Sequence, residues 1–161
     1  FFLALDLPTT PLFKSQSELG SLPQVPLSQL LRKYNGSQVE EVVVQEKVVR
    51  RTFRLTKLPP FLFLHVKRFS KNNFFKEKNS TIVNFPIKDL DLSEIAGCPA
   101  FYDLVGIAIH SGNAESGSYR VQLLHEPSCE WFEVQDLIVT KILPQQVTIS
   151  EAYMLLFKRS D

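Results

Sequence analysis

The sequence has few cysteines, and this scarcity excludes several kinds of protein. Cys98 and Cys129 are the two cysteines among 161 residues, which is too few for a disulfide framework and is typical of a reducing compartment. The three histidines are His65, His110 and His125, and no Cys-x-x-Cys or His-Glu-x-x-His spacing is present, so the sequence carries no zinc-binding motif. The six glycines are scattered singly, so no phosphate-binding loop is expected.

The sequence also lacks an excess of one charge and a long apolar run. Its 18 basic and 17 acidic side chains leave a net charge of +1, which does not favour a dedicated nucleic-acid-binding protein. The longest uncharged stretches, such as 58–64, are far shorter than the ~20 apolar residues that span a bilayer. We therefore expect no membrane partner. Because the chain begins at Phe1 without an initiator Met or a basic lead-in, we expect an internal part of a longer protein and no signal peptide.

The remaining composition is that of a folded domain. Hydrophobic residues make up 44% of the chain, and 13 residues are Phe. A domain of this length buries roughly 70% of the surface that its unfolded chain exposes. We therefore expect one compact domain or part of a larger one.

Short runs of apolar and β-branched residues predict a protein that is mainly β. Residues 27–34 carry Leu and Tyr side chains at helical spacing, and Asn35 and Gly36 end this helix because both tolerate a left-handed conformation. The predicted class is α+β, mainly antiparallel β, with one or two small helices. Strands are predicted at 1–7, 38–55 (two strands or one long hairpin), 61–66, 81–85, 102–109, 119–124, 131–134, 137–142 and 152–158.

No pair of side chains stands out as a nucleophile with its base. Cys129 and His125 lie four residues apart across a turn that contains Pro127, and such a turn does not aim both side chains into one cleft. Ser118 lacks the strand-to-helix elbow of a serine hydrolase and is predicted to begin a strand. From the residues alone, we predict a β-rich domain without a self-sufficient active site.

Two segments are locally basic. The Phe side chains of the second segment suit stacking on bases, with the cations on phosphates. The preferred interpretation is a solvated strand edge and loop, and a protein-binding surface also fits a local basic patch. The first segment contains Lys47, Arg50, Arg51 and Arg54, and the second contains Lys67, Arg68, Phe69, Lys71, Phe74, Phe75, Lys76 and Lys78.

Four stretches, in order along the chain, resemble the C-terminal half of the ubiquitin-specific protease domain. The resemblance covers nearly the whole chain. It implies a papain-like hand of thumb, palm and fingers, with 1–57 as finger and palm strands with a short helix, and 58–161 as palm. The nucleophilic Cys of the family belongs to the thumb, upstream of Phe1. The stretches are LPPFLFLHVKRF (58–69), YDLVGIAIHSG (102–112), SGSYRVQLL (116–124) with WFEVQD (131–136), and EAYMLLFKR (151–159).

The chain departs from the family at two positions of the catalytic triad. Active members carry Gly-His-Tyr where this chain has Gly117, Ser118 and Tyr119, and the family's His is the general base. The position of the orienting Asp or Asn is occupied by Gln135, with Asp136 as its neighbour. The resemblance therefore implies degenerate triad positions at Ser118 and Gln135 and no catalytic residue within this chain.

The chemistry of these two side chains agrees with that implication. The Ser118 hydroxyl does not titrate near neutral pH, so it cannot take a proton from a thiol or return one to the leaving amine. Gln135 has no charge with which to stabilise an imidazolium. His110 precedes Ser-Gly as in active members, which carry the catalytic His in addition, so we interpret His110 as a structural residue.

Within the family, the chain resembles the spliceosomal, tri-snRNP-associated branch, which is regarded as lacking protease activity. Residues 71–87, the Gly-Ser-Tyr, the Gln-Asp after Trp131 and residues 142–153 carry this resemblance. It implies a nuclear role in pre-mRNA splicing with tri-snRNP proteins as partners, and a zinc finger upstream of Phe1. No cofactor is expected within these residues, since 34–55, where the fingers of many members hold zinc, contains no Cys.

Two functions of different classes follow. The leading hypothesis is a non-catalytic scaffold that assembles or stabilises the tri-snRNP on a degenerate deubiquitinase fold, and hence a pseudoenzyme. The alternative is an active deubiquitinating cysteine protease that uses an upstream Cys and an unusual base. Binding of ubiquitin or a ubiquitin-like protein without cleavage stays open, as does direct contact with RNA.

Overall fold

The computed structural model describes residues 2–9, 22–71 and 76–160, which are organised mainly as β-strands. The first strands are β1 (Phe2–Asp6), β2 (Gln24–Pro26), β3 (Glu40–Val44), β4 (Lys47–Arg51), β5 (Phe61–Lys67), β6 (Phe69–Lys71) and β7 (Lys76–Lys78). They are followed by β8 (Ile82–Asn84), β9 (Leu90–Asp91), β10 (Phe101–Gly112), β11 (Gly117–His125), β12 (Glu130–Gln135), β13 (Ile138–Ile142) and β14 (Ala152–Arg159). The helices are α1 (Leu27–Leu31), α2 (Ser93–Ala96) and α3 (Pro144–Thr148), with a 3₁₀ turn at Arg32–Tyr34.

Most of the strands belong to one large sheet. Its strand order is β1-β5-β14-β10-β11-β12-β13, and β9 pairs with β10 beside this path. The pairings are antiparallel except for β1 with β5, which is parallel. The small pairs β3–β4 and β6–β7 are antiparallel, and β2–β8 is parallel. The predicted α+β class, mainly antiparallel β, is confirmed.

One face of the large sheet, here called the core face, is covered by α1 and its neighbours. Alternation along β5 buries Leu62, Leu64 and Val66, and the leucines of α1 pack in the same cluster because their spacing places them on one side of the helix. Each fully buried side chain of this kind contributes roughly 1.5–3 kcal/mol of hydrophobic free energy. This burial fixes which side chains of every strand point toward the core.

The opposite face of the sheet, here called the second face, carries an apolar row. Register places Phe63 opposite Leu156, Leu156 opposite Gly106, Gly106 opposite Leu123, and Leu123 opposite Phe132. The exposed fractions of Phe63 and Leu123 are 38% and 44%. The sheet is therefore apolar on both faces.

The predicted elements are confirmed in kind and differ in extent. The first strand is Phe2–Asp6, and Phe1 lies outside the described residues. The helix predicted at 27–34 is α-helical only to Leu31 before the 3₁₀ turn, and Gly36, with φ of +80°, is the residue that adopts the left-handed conformation. The predicted hairpin within 38–55 turns at Gln45 and Glu46, which both have positive φ.

Candidate functional site

Ser118 lies near the start of β11, directly after a tight turn. The side chain of Asn113 builds this turn, because its Oδ1 accepts hydrogen bonds from the backbone N–H groups of Glu115 and Ser116 at 2.9 and 2.8 Å. Gly117 follows, packed against the ring of His110 so closely that no Cβ would fit. The turn therefore presents Ser118 as an exposed side chain at the turn end of the β10–β11 hairpin, here called the mouth of the hairpin.

The two degenerate positions lie on the same face of the sheet. The ladder pairs Ser111 with Ser118 and Gln122 with Glu133. Because side chains alternate along a strand, Ser118 shares its face with Gln122, and Gln135 shares its face with Glu133. Gln122 is buried, so this is the core face. Ser118 and Gln135 therefore lie on neighbouring strands of the sheet and on one face.

An ion pair lies between these two positions. Arg120 Nε donates to Glu133 Oε2 at 3.1 Å, and Arg120 Nη1 donates to Ser111 Oγ. Gln122 Nε2 donates to the same Glu133 oxygen at 2.8 Å. The Arg120 and Glu133 side chains are each 30% exposed, so the pair is partly shielded from water. The sequence reasoning missed this network, although the alternate spacing of Ser118, Arg120 and Gln122 was a signal that they share a face.

His110 lies on the other side of the sheet from Ser118. It is paired with Tyr119, and its ring contacts the rings of Phe69 and Tyr119 at centroid distances of 5.0 and 4.9 Å. His110 is 6% exposed, and burial together with the cation of Lys78 lowers the pKa of its imidazole. The imidazole therefore projects from the face opposite to that of the Ser118 side chain, in agreement with a structural role.

A buried lysine holds the end of β10 against the start of β14. Lys78 Nζ donates to the carbonyl oxygens of His110 and Gly112 at 2.9 and 3.1 Å, and it forms an ion pair of 2.7 Å with Glu151. The Lys78 side chain is 7% exposed. Lys78, Glu151 and Arg120 line a cavity of about 370 Å³ that opens beside the mouth of the β10–β11 hairpin. This clamp was also missed.

Cys129 and His125 do not form a nucleophile–base pair. Both are exposed where β11 connects to β12, His125 as the last residue of β11 and Cys129 within the following turn. The Cys129 thiol donates to the Glu126 carbonyl oxygen at 3.5 Å, whereas His125 Nδ1 contacts Ser128 Oγ at 2.8 Å. Each side chain is engaged within the turn itself.

The second basic segment is not a solvated strand edge, so that interpretation is wrong for two of its cations. Arg68 is 1% exposed, and it donates to the carbonyl oxygens of Ala152, Asn79 and Thr81. Lys78 is buried in the clamp described above. The physical reason is that the backbone carbonyls at the strand ends need donors, and these two long side chains supply them.

The other members of the basic segments are placed differently. Lys67 pairs with Asp6 at 2.8 Å, and Lys71 and Lys76 are exposed on β6 and β7. The Phe69 ring packs against the ring of His110 and does not project as a platform for stacking on bases. Phe74 and Phe75 lie outside the described residues. In the first segment all of β4 is exposed. Its arginines form ion pairs across the hairpin, Arg50 with Glu41 at 2.8 Å and Arg51 with Glu40 at 2.9 Å.

Two absences hold for the residues that the structure describes. No group of three or more His, Cys, Asp or Glu side chains among them could hold a metal ion. None of their helices is long and apolar enough to cross a membrane.

Comparison with known proteins identifies the family to which this hand-like fold belongs. The family model described as ubiquitin carboxyl-terminal hydrolase matches residues 18–157. The chain is 47% identical over 167 residues to ubiquitin carboxyl-terminal hydrolase 39 of Homo sapiens, covering 99% of this chain and 30% of that protein. The chain therefore belongs to the ubiquitin carboxyl-terminal hydrolase family, the ubiquitin-specific proteases of the sequence resemblance.

A second curated relative and two solved structures extend the comparison. The chain is 36% identical over 173 residues to the probable mRNA-splicing protein ubp10 of Schizosaccharomyces pombe, covering 99% of this chain and 34% of the relative. It superposes on an essential yeast splicing factor with a TM-score of 0.74 at 22% identity, covering 99% of this chain and 36% of the other. For the Ubp8-Sgf11-Sgf73-Sus1 SAGA DUB module the TM-score is 0.78 at 22% identity, with 99% and 34% covered. The chain thus spans about a third of the length of the proteins it matches.

Proposed function

We propose that this protein is a non-catalytic interaction scaffold of the nuclear pre-mRNA splicing machinery, which helps to assemble or stabilise the tri-snRNP. The single observation that carries the proposal is Ser118, which occupies the family's general-base position on the face that it shares with Gln135. The name of one curated relative supports the direction, since it is a probable mRNA-splicing protein that matches 99% of this chain.

The site has lost the groups that proton transfer needs. A hydroxyl cannot serve as a base near neutral pH, and an uncharged amide cannot stabilise an imidazolium. Removal of a triad base lowers kcat by several powers of ten.

The domain assignment is part of the proposal. We assign residues 1–57 to finger and palm strands with the short helix, and residues 58–161 to the palm. The position of β3 and β4 as a separate two-stranded ribbon supports a projecting finger, and the large sheet from β5 onward supports the palm. The nucleophile position and a zinc finger would then belong to the upstream part of the longer protein.

Covalent labelling tests the loss of catalysis directly. The full-length protein is incubated with ubiquitin that carries a thiol-reactive group at its C-terminus, and adduct formation is followed by mass. We expect no adduct, with an active member of the family as the positive control. An adduct that disappears when the protein's own upstream Cys is replaced would contradict the scaffold and establish the alternative, a cysteine protease with an unusual base.

A restoring variant tests the residue assignment. We expect Ser118→His alone to yield little hydrolysis of a ubiquitin–fluorophore substrate, because Gln135 cannot orient or stabilise the new imidazole. Robust activity of this single variant would show that the remaining site is intact. Titration of fluorescent ubiquitin with the unmodified protein separates binding without cleavage, which gives saturation without turnover, from no recognition of ubiquitin.

A further inference from the structure

The last strand of the large sheet, β13, has one open edge. β13 pairs with β12 on one side, and within the described part of the chain no strand pairs with its other side. Natural proteins protect such edges with prolines, bulges or inward-pointing charges, because unpaired N–H and C=O groups recruit other strands. β13 is regular over its five residues, and its charged side chain, Lys141, is held by Glu130 at 2.5 Å.

The register of the hairpin shows which backbone groups are free. Asp136 and Leu137 form a two-residue turn between the paired residues Gln135 and Ile138. Residues that flank such a turn exchange hydrogen bonds, and hydrogen-bonded and non-hydrogen-bonded pairs then alternate along an antiparallel ladder. The N–H and C=O groups of residues 138, 140 and 142 therefore point toward β12, and those of 139 and 141 point outward.

Most of the exposed side chains along this edge are aliphatic and lie on both faces of the sheet, with Thr140 and Lys141 between them. Leu137 is 98% exposed, Ile138 70%, Val139 63% and Leu143 64%. Ile138 lies on the core face with Gln135, whereas Val139 lies on the second face with Val134. An exposed apolar surface of this kind marks an interaction site, and its alternation suits a strand rather than a helix.

We propose that the open edge of β13 receives an extended segment of a partner protein, which adds to the large sheet as an antiparallel strand. The segment would carry aliphatic side chains on both of its faces. It would place a Lys or Arg near Asp136, which is exposed and forms no ion pair among the described residues. This inference rests on the scaffold function proposed above, and it names the kind of partner that one surface of the scaffold binds.

Pairing of two copies through the same edge fits this surface less well. A strand of five residues per copy buries far less than the ~1,200 Å² that stable complexes bury. A peptide segment does not need that area, because the edge has only to hold it weakly, with a Kd of about 0.1 mM, when other contacts of a large assembly act together with it. Strand addition of this type takes its affinity from main-chain hydrogen bonds and its specificity from alternate side chains.

Hydrogen exchange of the full-length protein, with and without a synthetic strand, tests the proposal. The probe is a capped peptide of Val and Ile residues, as long as β13, so that both of its faces are aliphatic. It ends in Lys at the C-terminal end that antiparallel pairing places near Asp136. If the peptide binds with a Kd of about 0.1 mM and is present at about 1 mM, exchange of the outward amides of Val139 and Lys141 should slow about tenfold. The amides of 138, 140 and 142 should be slow already, because they are bonded to β12.

Val139→Pro is the decisive variant, since it removes one outward N–H without removing a bond to β12. Val139→Thr is its matched control, which keeps the N–H and β-propensity. We expect protection by the peptide to be lost in the first variant and kept in the second, and lost also with a peptide that is N-methylated on its pairing edge.

Three results would overturn the proposal. No protection by the peptide would mean that the edge does not accept a strand. Slow exchange of Val139 and Lys141 in the free protein would mean that another part of the same polypeptide already covers the edge. A concentration-dependent dimer that Val139→Pro abolishes would assign the edge to a second copy. Because none of these measurements depends on reaction with ubiquitin, failure here and failure of the scaffold proposal are distinguishable.

Discussion

Arg68 is a charged side chain that the fold buries almost completely. Its guanidinium donates to the carbonyl oxygens of Ala152 at 2.6 Å, Thr81 at 2.7 Å and Asn79 at 2.9 Å. Replacement by Met keeps the length of the side chain and removes all of the donors. A buried carbonyl without a partner costs roughly 1–3 kcal/mol. We therefore expect Arg68→Met to lower the free energy of unfolding by about 3 kcal/mol or more, as measured by urea denaturation.

Lys71→Met is the control for Arg68→Met. Lys71 lies on the neighbouring strand β6 and is exposed, so its loss should change stability by less than about 0.5 kcal/mol. Equal effects of the two substitutions would show that the contacts of Arg68 do not hold β5, β8 and β14 together.

His110 gives the stability of the fold a dependence on pH. Burial, and next the cation of Lys78, lowers the pKa of the imidazole, while Glu151 acts in the opposite direction. The folded protein therefore resists protonation that the unfolded chain accepts at its ordinary pKa of about 6.5. The contribution of neutral His110 is complete above pH 6.5 and is lost as the pH falls from there toward the lowered folded pKa.

A comparison of variants isolates this effect, because His65 also has a pKa lowered first by burial. We expect the free energy of unfolding to fall less between pH 7.5 and pH 5.5 in His110→Phe, which keeps an aromatic ring but cannot be protonated, than in the unmodified protein. An unchanged slope in His110→Phe would rule out His110 as the titrating group.

The sequence predicts two positions of the candidate site but not its surroundings. Ser118 and Gln135 are predicted from their places within stretches that resemble the family, and strand register brings them to one face. Arg68 was placed in a solvated segment because its neighbours in sequence are charged. Its partner Ala152 lies 84 residues away, and no local pattern records such a contact.

At the scale of elements, the β10–β11 hairpin depends on one close approach. A Cβ on Gly117 would overlap His110 Nε2 and the carbonyl oxygen of Ser111, and the latter is backbone that cannot move aside. Gly117→Ala should therefore force the hairpin apart and destabilise the protein by about 1–3 kcal/mol, with loss of hydrogen-exchange protection at Ser111 and Ser118.

Gly106→Ala provides a matched comparison within the same strand pair. Its Cβ would meet Leu123 Cδ2 at 3.0 Å, a flexible side chain that can shift. We expect a smaller loss of stability than for Gly117→Ala, with the exchange of the hairpin mouth unchanged. The reverse order of the two effects would contradict the packing of His110 under Gly117.

The pattern of apolar residues predicts where the strands lie, but it gives little information about which strands pair with each other. The strands at 61–66 and 152–158 were recognised from their apolar runs, and both pair in the large sheet. The parallel pairing of β1 with β5 could not be predicted from the sequence, because the apolar runs of both strands are compatible with parallel or antiparallel pairing. Helix α3 was missed although Pro144 begins it, a position that suits proline because the first helical N–H needs no partner.

At the scale of the whole molecule, the large sheet has more apolar surface than the described residues cover. The core face is closed by α1 and its neighbours, whereas the row across the second face includes exposed Phe63 and Leu123. Sheets that are apolar on both faces are normally covered on both. If the chain is the palm of a longer hand, as proposed, this row is an internal interface of that longer protein.

That assignment predicts opposite behaviour of the same substitution in two contexts. In the full-length protein, Phe63→Ser should lower the free energy of unfolding by about 2–4 kcal/mol, because it removes a ring from a packed interface. In residues 1–161 expressed alone, the same change should reduce binding of the dye ANS and improve solubility, since it removes exposed apolar surface. Leu137→Ser, at a side chain that is 98% exposed in the β12–β13 turn, should leave the stability of the full-length protein unchanged. A neutral effect of Phe63→Ser in the full-length protein would show that the second face is open to solvent there, and would remove the main physical support for treating the chain as a palm.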